Sequence, residues 1–378
     1  MIIQSTKVWL NETFKPASLE IIDGKIVGIY PYNSKENVKD YGNNRILPGL
    51  IDLHCHGYKG MTCNEVTKEG MLLWAHDLLQ EGCTSFEATT STAAMEDLDK
   101  SFPILADIMD EGTSGAEIVG IHIEGPLISP EYRGAQELTQ LVKPTIEVIQ
   151  KWQTLARGKI NMVAIAPEMD DNHETIKYCA SNNIKVSLGH TGATYEECVQ
   201  ASLDGATSFT HTYNGMKGLH HREPGVVGAA LTLDDMYAEL IGDGVHVNFV
   251  PAKILARAKG KDKLLLITDS VQVKGLPMGR YEKGLAIVEV KEDGCAYLPN
   301  GKLAGSSNKL IDEVTKLIEI AGIDQTTVIN AATKNPATYI GLENKKGQLK
   351  VGYDADIIVI DDTYKVLTTY KDNKEYIW

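Results

Sequence analysis

Five histidines and two acids in this sequence have the types and spacing of a metal-assisted hydrolytic site. His54 and His56 flank Cys55. Glu124 precedes a Gly-Pro pair. His190, His211 and His246 follow singly, and Asp269 stands before Ser270. Imidazole nitrogen with carboxylate oxygen is the donor set that zinc- or iron-type divalent cations select. An aspartate beside such a cation is a natural general base and, afterwards, a general acid. Each residue alone has an ordinary explanation. His-x-His on a strand can be a satisfied surface pair, a Glu before Gly-Pro a turn residue, and an Asp before Ser a helix N-cap. Their joint placement carries the chemistry.

That placement comes from the elements around them. Eight buried-strand runs recur: Ile46–His54, Thr84–Thr89, Glu117–Glu124, Met162–Ala166, Ile184–Leu188, Thr207–His211, Ala238–Ile241 and Leu264–Thr268. Segments of helical composition and spacing, such as Glu69–Gln80, Tyr195–Leu203 and Lys309–Ala321, fall after most of them. Eight βα units predict an α/β fold, a (β/α)8 TIM-like barrel, over an open sheet. His54, His56, Glu124, His190, His211, His246 and Asp269 then all lie at or just past C-terminal strand ends, where such barrels build active sites. Val271–Gly301 contains strand-like pieces after the eighth strand and reads as an insertion. Both chain ends are β-rich: Ser18–Ile22, Asp23-Gly24 and Lys25–Tyr30 make a hairpin signal, and Gly352–Ile360 with Tyr364–Tyr370 repeats the style. The expected organisation is a small β-sandwich domain from residues 1–45 plus 345–378 around a barrel of residues 46–344.

Composition narrows the partners. Hydrophobic residues make up 43% and charged residues 23% of 378, a soluble globular balance. A net charge of −14 argues against nucleic acid and against anionic membrane. The start of the chain carries no basic region followed by an apolar stretch, so the expected location is cytoplasmic. Six cysteines at irregular spacing, with no CxxC pair, read as reduced thiols. Alternation along the first strand turns Cys55 away from its flanking histidines.

Longer motifs carry a resemblance. Pro48-Gly-Leu-Ile-Asp-Leu-His-Cys-His-Gly57 resembles the opening motif of the amidohydrolase superfamily. Gly120-Ile-His-Ile-Glu-Gly-Pro126, Leu188–Ala193, Thr210–Met216, Arg222–Gly225, Asp243–His246 and Ile267–Asp269 are similar, in order, to the N-acetylglucosamine-6-phosphate deacetylase family. That resemblance implies deacetylation of an amino-sugar phosphate by a divalent metal, with Glu124, His190 and His211 as principal ligands and Asp269 as catalytic acid/base. Some members hold a second metal through His-x-His, so His54 and His56 imply one or two ions per chain, with Glu124 as a candidate bridge.

The same resemblance assigns Ala135, Asn214, Gly215, Arg222, His246 and the stretch Leu303, Ala304 and Gly305 to substrate binding, in a homodimer whose partner helps complete the phosphate pocket. Gly215 would allow close backbone approach to an anion, and Arg222 can grip phosphate through two donors. The ordinary alternative for Arg222 is an ion pair with Glu223; His220 and His221 read as bystanders. One departure stands out. Where the family shows Gly-Ala-His, with the His on the acetyl carbonyl, this chain has Gly134-Ala-Gln136, a neutral donor. Weaker oxyanion stabilisation or a different sugar or acyl group is the expectation. Strand four, Asn161–Pro167, contains no Lys, which argues against the hydantoinase type of site with its carboxylated lysine. N-acetylgalactosamine 6-phosphate as substrate, or a catalytically inactive sugar-phosphate-binding protein, are the alternatives.

Overall fold

In the computed structural model, which describes residues 1–283 and 286–378, the eight runs form one parallel barrel. Its strands are β1 (Leu50–Cys55), β2 (Cys83–Thr90), β3 (Glu117–Glu124), β4 (Ile160–Ile165), β5 (Lys185–Leu188), β6 (Ala206–Phe209), β7 (Tyr237–Ile241) and β8 (Leu264–Ile267). They pair in chain order, β1 through β8. The seam between β8 and β1 is closed just past β8, where Asp269 N donates to His54 O at 2.9 Å and His56 N to Ser270 O at 2.7 Å. Three of the site's candidate residues, His54, His56 and Asp269, therefore make the closing bonds of the barrel.

A helix follows each strand: 68–80, 95–111, 146–155, 174–181, 195–203, 225–232, 249–259 and 310–319. Their starts are written locally. Thr67 and Thr145 accept from the backbone N–H groups of Gly70 and Val148, and Thr194 with Glu197 forms a reciprocal capping box. Inside the barrel, Ile51 and Leu53 of β1 pack with Met162, Ile241, Leu265 and Ile267 from the opposite wall and beside them. Tyr339, in a short helix after the last unit, seals the lower end by hydrogen bonds to Thr207 (3.0 Å) and Ser208 (2.7 Å).

The expected strand Ile46–His54 is in fact two. Arg45–Pro48 pairs antiparallel with Ile357–Ile360 in the terminal sheet, and only Leu50–Cys55 enters the barrel. Gly49 makes the transfer. A Cβ there would lie 2.1 Å from Thr84 Oγ1, so only glycine lets the chain cross β2 this closely. The sixth and eighth strands also stop earlier than expected, leaving His211 and Asp269 in the loops beyond. Val271–Gly301 proves to be part of a longer four-stranded antiparallel sheet, Gly279–Lys283, Ala286–Val290, Cys295–Tyr297 and Leu303–Ser306; residues 284 and 285 of that stretch lie outside the described residues. Its last strand returns to β8, with Ser306 N donating to Asp269 O at 3.0 Å.

Both termini build one curled eight-stranded sheet. Its hairpin turn has Asp23 at φ 48° and Gly24 at φ 70°, the positive pair a type I′ turn requires. Strand Ile357–Ile360 is buried on both faces, and alternation sorts it. Ile357 and Val359 join the sheet's own core with Ile3, Leu19 and Ile46, while Ile358 and Ile360 join the barrel's core with Trp9 and Leu47. The seam also carries buried charge. Lys346 Nζ lies 2.7 Å and Lys371 Nζ 3.1 Å from the Asp356 carboxylate, and both ammonium groups also meet Glu117 at the foot of β3. All six cysteines are buried and free, and Cys55 packs outside the barrel wall. Among the described residues no helix is long and apolar enough to cross a membrane.

Removing one partner from a buried ion cluster strands the others. Asp356→Asn is therefore expected to lower unfolding free energy by about 3–5 kcal/mol, read from urea midpoints at constant slope. A change under about 0.5 kcal/mol would show that the two lysines find other partners.

Candidate metal centre

The barrel's C-terminal rim brings six of the sequence-expected residues together. Glu124, the last residue of β3, points into the centre. Its Oε1 lies 2.8 Å from His211 Nε2 and 3.0 Å from His190 Nε2, and 3.5 Å from His54 Nε2. Its Oε2 lies 3.3 Å from His56 Nε2. Asp269 Oδ1 is 3.2 Å from His56 Nε2 and 3.7 Å from His54 Nε2. The cluster has two halves, Glu124–His190–His211 and His54–His56–Asp269, with Glu124 touching both.

The local backbone is bent to achieve this. His190, His211 and Asp269 adopt φ of 46°, 28° and 47°, the left-handed region that L-residues rarely enter. Each conformation costs on the order of 1 kcal/mol or more and is held from outside. Ser129 N donates to His190 O, Glu239 accepts from His211 N, and the Asp269 peptide groups are tied to His54 and Ser306. On β1 the register slips between Asp52 and Cys55 against β2, the kind of bulge that re-aims a strand end, so His54 and His56 both reach the centre although Leu53 packs inside.

Hydrogen bonds behind the rings decide which nitrogen faces inward. The Nδ1 atoms of His56 and His190 face the carbonyl oxygens of Thr89 (3.2 Å) and Tyr132 (2.9 Å), and His54 Nδ1 faces the Glu239 carboxylate (2.9 Å). Those oxygens only accept, so Nδ1 carries the hydrogen and Nε2 keeps its lone pair. The bare Nε2 atoms of His54 and His56 then meet at 3.1 Å, and that of His190 lies 3.1 Å from His211 Nε2. Lone pairs facing each other at that distance repel unless positive charge lies between them. The donor set, bare imidazole nitrogen plus ionised carboxylate, fits a divalent cation in each half.

Electrostatics agree. Burial opposes ionisation of Asp269, yet the His56 hydrogen bond and the charge of both strand-one imidazoles hold it down to about 2. Glu124 is also well below the usual carboxylate range despite burial, through His190 and His54. Burial disfavours charge on His54, but the Glu239 and Glu124 carboxylates overcome it and raise that histidine well above its ordinary value. The site thus stabilises positive charge where the ring nitrogens converge. His122, edge-on to His54 at 4.8 Å, is kept neutral by burial and the neighbouring imidazoles, and burial lifts Glu87 to about 8.

Other expected residues sit around this centre. Gln136 reaches it: its Oε1 accepts from Thr92 N at 3.0 Å and from the Thr92 hydroxyl, which turns its amide nitrogen to Glu124 Oε2 and His190 Nε2, both at 3.2 Å. Ala135 is exposed beside it. Gly215 packs against His190, where a Cβ would lie 2.8 Å from Nδ1, so ligand packing alone demands glycine there. Asn214 ties back to His211 O. Gly305, at φ 96°, lies against Asp269 O, with Leu303 and Ala304 in the same strand. His246 stands apart from the ligand cluster. Its Nδ1 is 2.6 Å from Asp243 Oδ2, while Asn308 Nδ2 and the Cys295 thiol donate to the same oxygen. With Val245 N and His246 N on Oδ1 as well, Asp243 is saturated by hydrogen donors. Arg222 is exposed on the 212–224 loop, 2.8 Å from His221 rather than paired with Glu223, which instead lies 4.0 Å from Lys217.

The sequence reading missed Glu239 and Thr92. A lone acid inside the otherwise apolar run of β7 was the available signal for Glu239; nothing local marks Thr92.

Comparison with known proteins follows the same lines. The amidohydrolase family model matches residues 45–376. An N-acetylglucosamine-6-phosphate deacetylase of Lysinibacillus sphaericus is 37% identical over 92% of this chain and 90% of its own length. An N-acetylgalactosamine-6-phosphate deacetylase of Escherichia coli O157:H7 is 32% identical over 93% and 92%. A mutant N-acetyl-D-glucosamine-6-phosphate deacetylase from Mycobacterium smegmatis, solved in complex with N-acetyl-D-glucosamine-6-phosphate, superposes with a TM-score of 0.92 at 27% identity, covering 100% of this chain and 99% of that one. A closed barrel with ligand-type residues on its C-terminal rim, matched from residue 45 to residue 376, places this chain in the amidohydrolase family.

Proposed function

We propose that this chain hydrolyses the acetamide of N-acetylglucosamine 6-phosphate, giving glucosamine 6-phosphate and acetate. The observation that carries the reading is the convergence of Glu124, Asp269 and the Nε2 atoms of His54, His56, His190 and His211 on the barrel rim. A relative named for this reaction, 37% identical over nine-tenths of both chains, supports it. Glu124, His190 and His211 would hold a divalent ion, zinc or iron, and His54 and His56 offer donors for a second, so that one or two ions would bind per chain.

Such an ion supplies Lewis acidity and lowers the pKa of water towards about 7. Asp269 starts ionised, and its neighbour His56 keeps it so. It takes the proton of the attacking water as oxygen bonds to the acetyl carbon. The same proton goes to the sugar nitrogen as the C–N bond breaks, and the second water proton passes from the acetic acid to the amine, leaving acetate and a protonated amine. Gln136, turned inward by Thr92, offers a neutral hydrogen bond to the developing oxyanion. His246, Asn214 and Gly215, with Ala135 and the 303–305 strand, line the sugar side. Arg222 meets the phosphate, and its exposure on the loop suits a pocket completed by a second chain of a cytoplasmic homodimer. In this reading residues 1–45 with 345–378 form the small β-domain and residues 46–344 the catalytic barrel, with the boundary shifted to Gly49 because strand Arg45–Pro48 pairs in the terminal sheet. A galactosamine-type substrate is the second reading, favoured by the 32% identical relative named for it and by Gln136 in place of a histidine.

An acetate-release assay tests both. N-acetylglucosamine 6-phosphate is expected to turn over fastest, its galactose epimer more slowly and unphosphorylated sugars hardly at all. Preference for the galactose epimer would establish the second reading, and no acetate from either phosphate would overturn both. Asp269→Asn should keep its metal content and fold yet lose about a hundred- to ten-thousand-fold in turnover; near-parental turnover would require another base. Arg222→Ala should weaken phosphorylated substrates roughly ten- to hundred-fold, since a charge-assisted bond contributes about 1.5–3 kcal/mol. Equal losses on unphosphorylated sugar would assign Arg222 to structure instead.

A further inference from the structure

Behind the ligand cluster stands Glu239, in the middle of β7 and fully buried. One of its oxygens, Oε2, accepts two hydrogen bonds, from His54 Nδ1 at 2.9 Å and from the backbone N–H of His211 at 2.9 Å. Those donors belong to different halves of the centre. His54 faces His56 and Asp269, whereas His211 faces Glu124 and His190. The other two inward-facing rings with fixed tautomers, His56 and His190, are held by backbone carbonyls. Of these three rings only His54 is backed by a carboxylate.

We infer that Glu239 is a positioning residue that joins the two halves of the metal centre, and that the ion held through His54 and His56 depends on it. The inference rests on the reading of the cluster as a divalent-cation site. A carboxylate oxygen behind Nδ1 keeps the hydrogen there, leaves Nε2 with its lone pair towards the centre, and increases its donor strength. The same oxygen occupies the peptide N–H of His211, which would otherwise be buried without a partner, and so holds that residue in its left-handed conformation. Without this acceptor the His54 proton can move to Nε2, which turns a donor hydrogen on the ion instead of a lone pair. The half formed by Glu124, His190 and His211 retains the Tyr132 anchor of His190, so it should suffer less.

The test is a metal titration of the full-length chain by equilibrium dialysis against zinc, with elemental analysis, thermal melting and the cobalt absorption spectrum of each variant. Glu239→Gln keeps an acceptor oxygen for both donors and is expected to bind both ions within about tenfold of the parent. Glu239→Leu keeps the volume and removes the acceptor. Outer-shell partners contribute about ten- to a hundredfold in metal affinity, so it should lose that much at the weaker ion alone and alter only that ion's cobalt bands. In a double variant with His54→Ala, no further loss is expected. Should the leucine variant fail to fold, Glu239→Asp, which withdraws the oxygen by one methylene, should show the same selective loss. Parental affinity for both ions in the leucine or aspartate variant, or losses that add fully to His54→Ala, would overturn the role of Glu239 while leaving the cation site intact. So would a parent that binds one ion indifferent to these substitutions. A parent that binds no ion would bring down the cation-site reading itself, and this inference with it.

Discussion

A carboxylate that is ionised and almost wholly buried is among the most expensive groups a protein can enclose, costing several kcal/mol unless positive charge and hydrogen bonds meet it. Glu124 is such a group: its side chain is 5% exposed, and four imidazoles surround it at 2.8–3.5 Å. Much of the rim can be read as the consequence of holding that arrangement. The ring nitrogens are aimed by acceptors behind them, the backbone leaves the strands through left-handed residues, and Asp269 is tied to β1 and to the sheet that follows β8. Chemistry and barrel closure share the same residues at His54, His56 and Asp269, whose backbones close the β8–β1 seam while their side chains face the centre.

The terminal sheet serves this arrangement indirectly. It covers the barrel beside helix 68–80, where Thr369 donates to Leu79 O, and it sends Arg45–Pro48 straight into β1. Strand Ile357–Ile360 belongs to two cores at once, so the sheet and the barrel share packing as well as the charge cluster around Asp356. The four-stranded sheet after β8 is placed just as functionally. Its last strand lies on Asp269, and its Cys295 and the adjoining Asn308 reach Asp243, the partner of His246.

The barrel was legible in the sequence because its strands are short, apolar and regularly spaced, and because seven polar residues stand at or just past where those runs end. Ile46–His54 reads as one strand because its apolar residues run on either side of Pro48-Gly49; that pair is the local signal of the break, and the pairing of Arg45–Pro48 with Ile357–Ile360 shows it. The close approach that Gly215 allows is made, in the structure, to the His190 ring. The hold of Thr92 on Gln136, and of Glu239 on His54, depends on contacts between strands far apart in sequence, which no local pattern encodes. Arg222 shows the reverse limit: its chemistry is plain from its type, while its position depends on a loop that local turn bonds between His220 and Glu223 shape.

The most direct measurement is anomalous diffraction from crystals of the purified chain, recorded on both sides of the absorption edge of whichever metal elemental analysis finds. The account predicts density within about 2.0–2.2 Å of Glu124 oxygen and of ring nitrogens of His190 and His211, typical of carboxylate and imidazole ligation, with any second peak on the His54 and His56 side of the same carboxylate. A peak that avoids Glu124, or one lying instead among Asp243, His246 and Cys295, would contradict it.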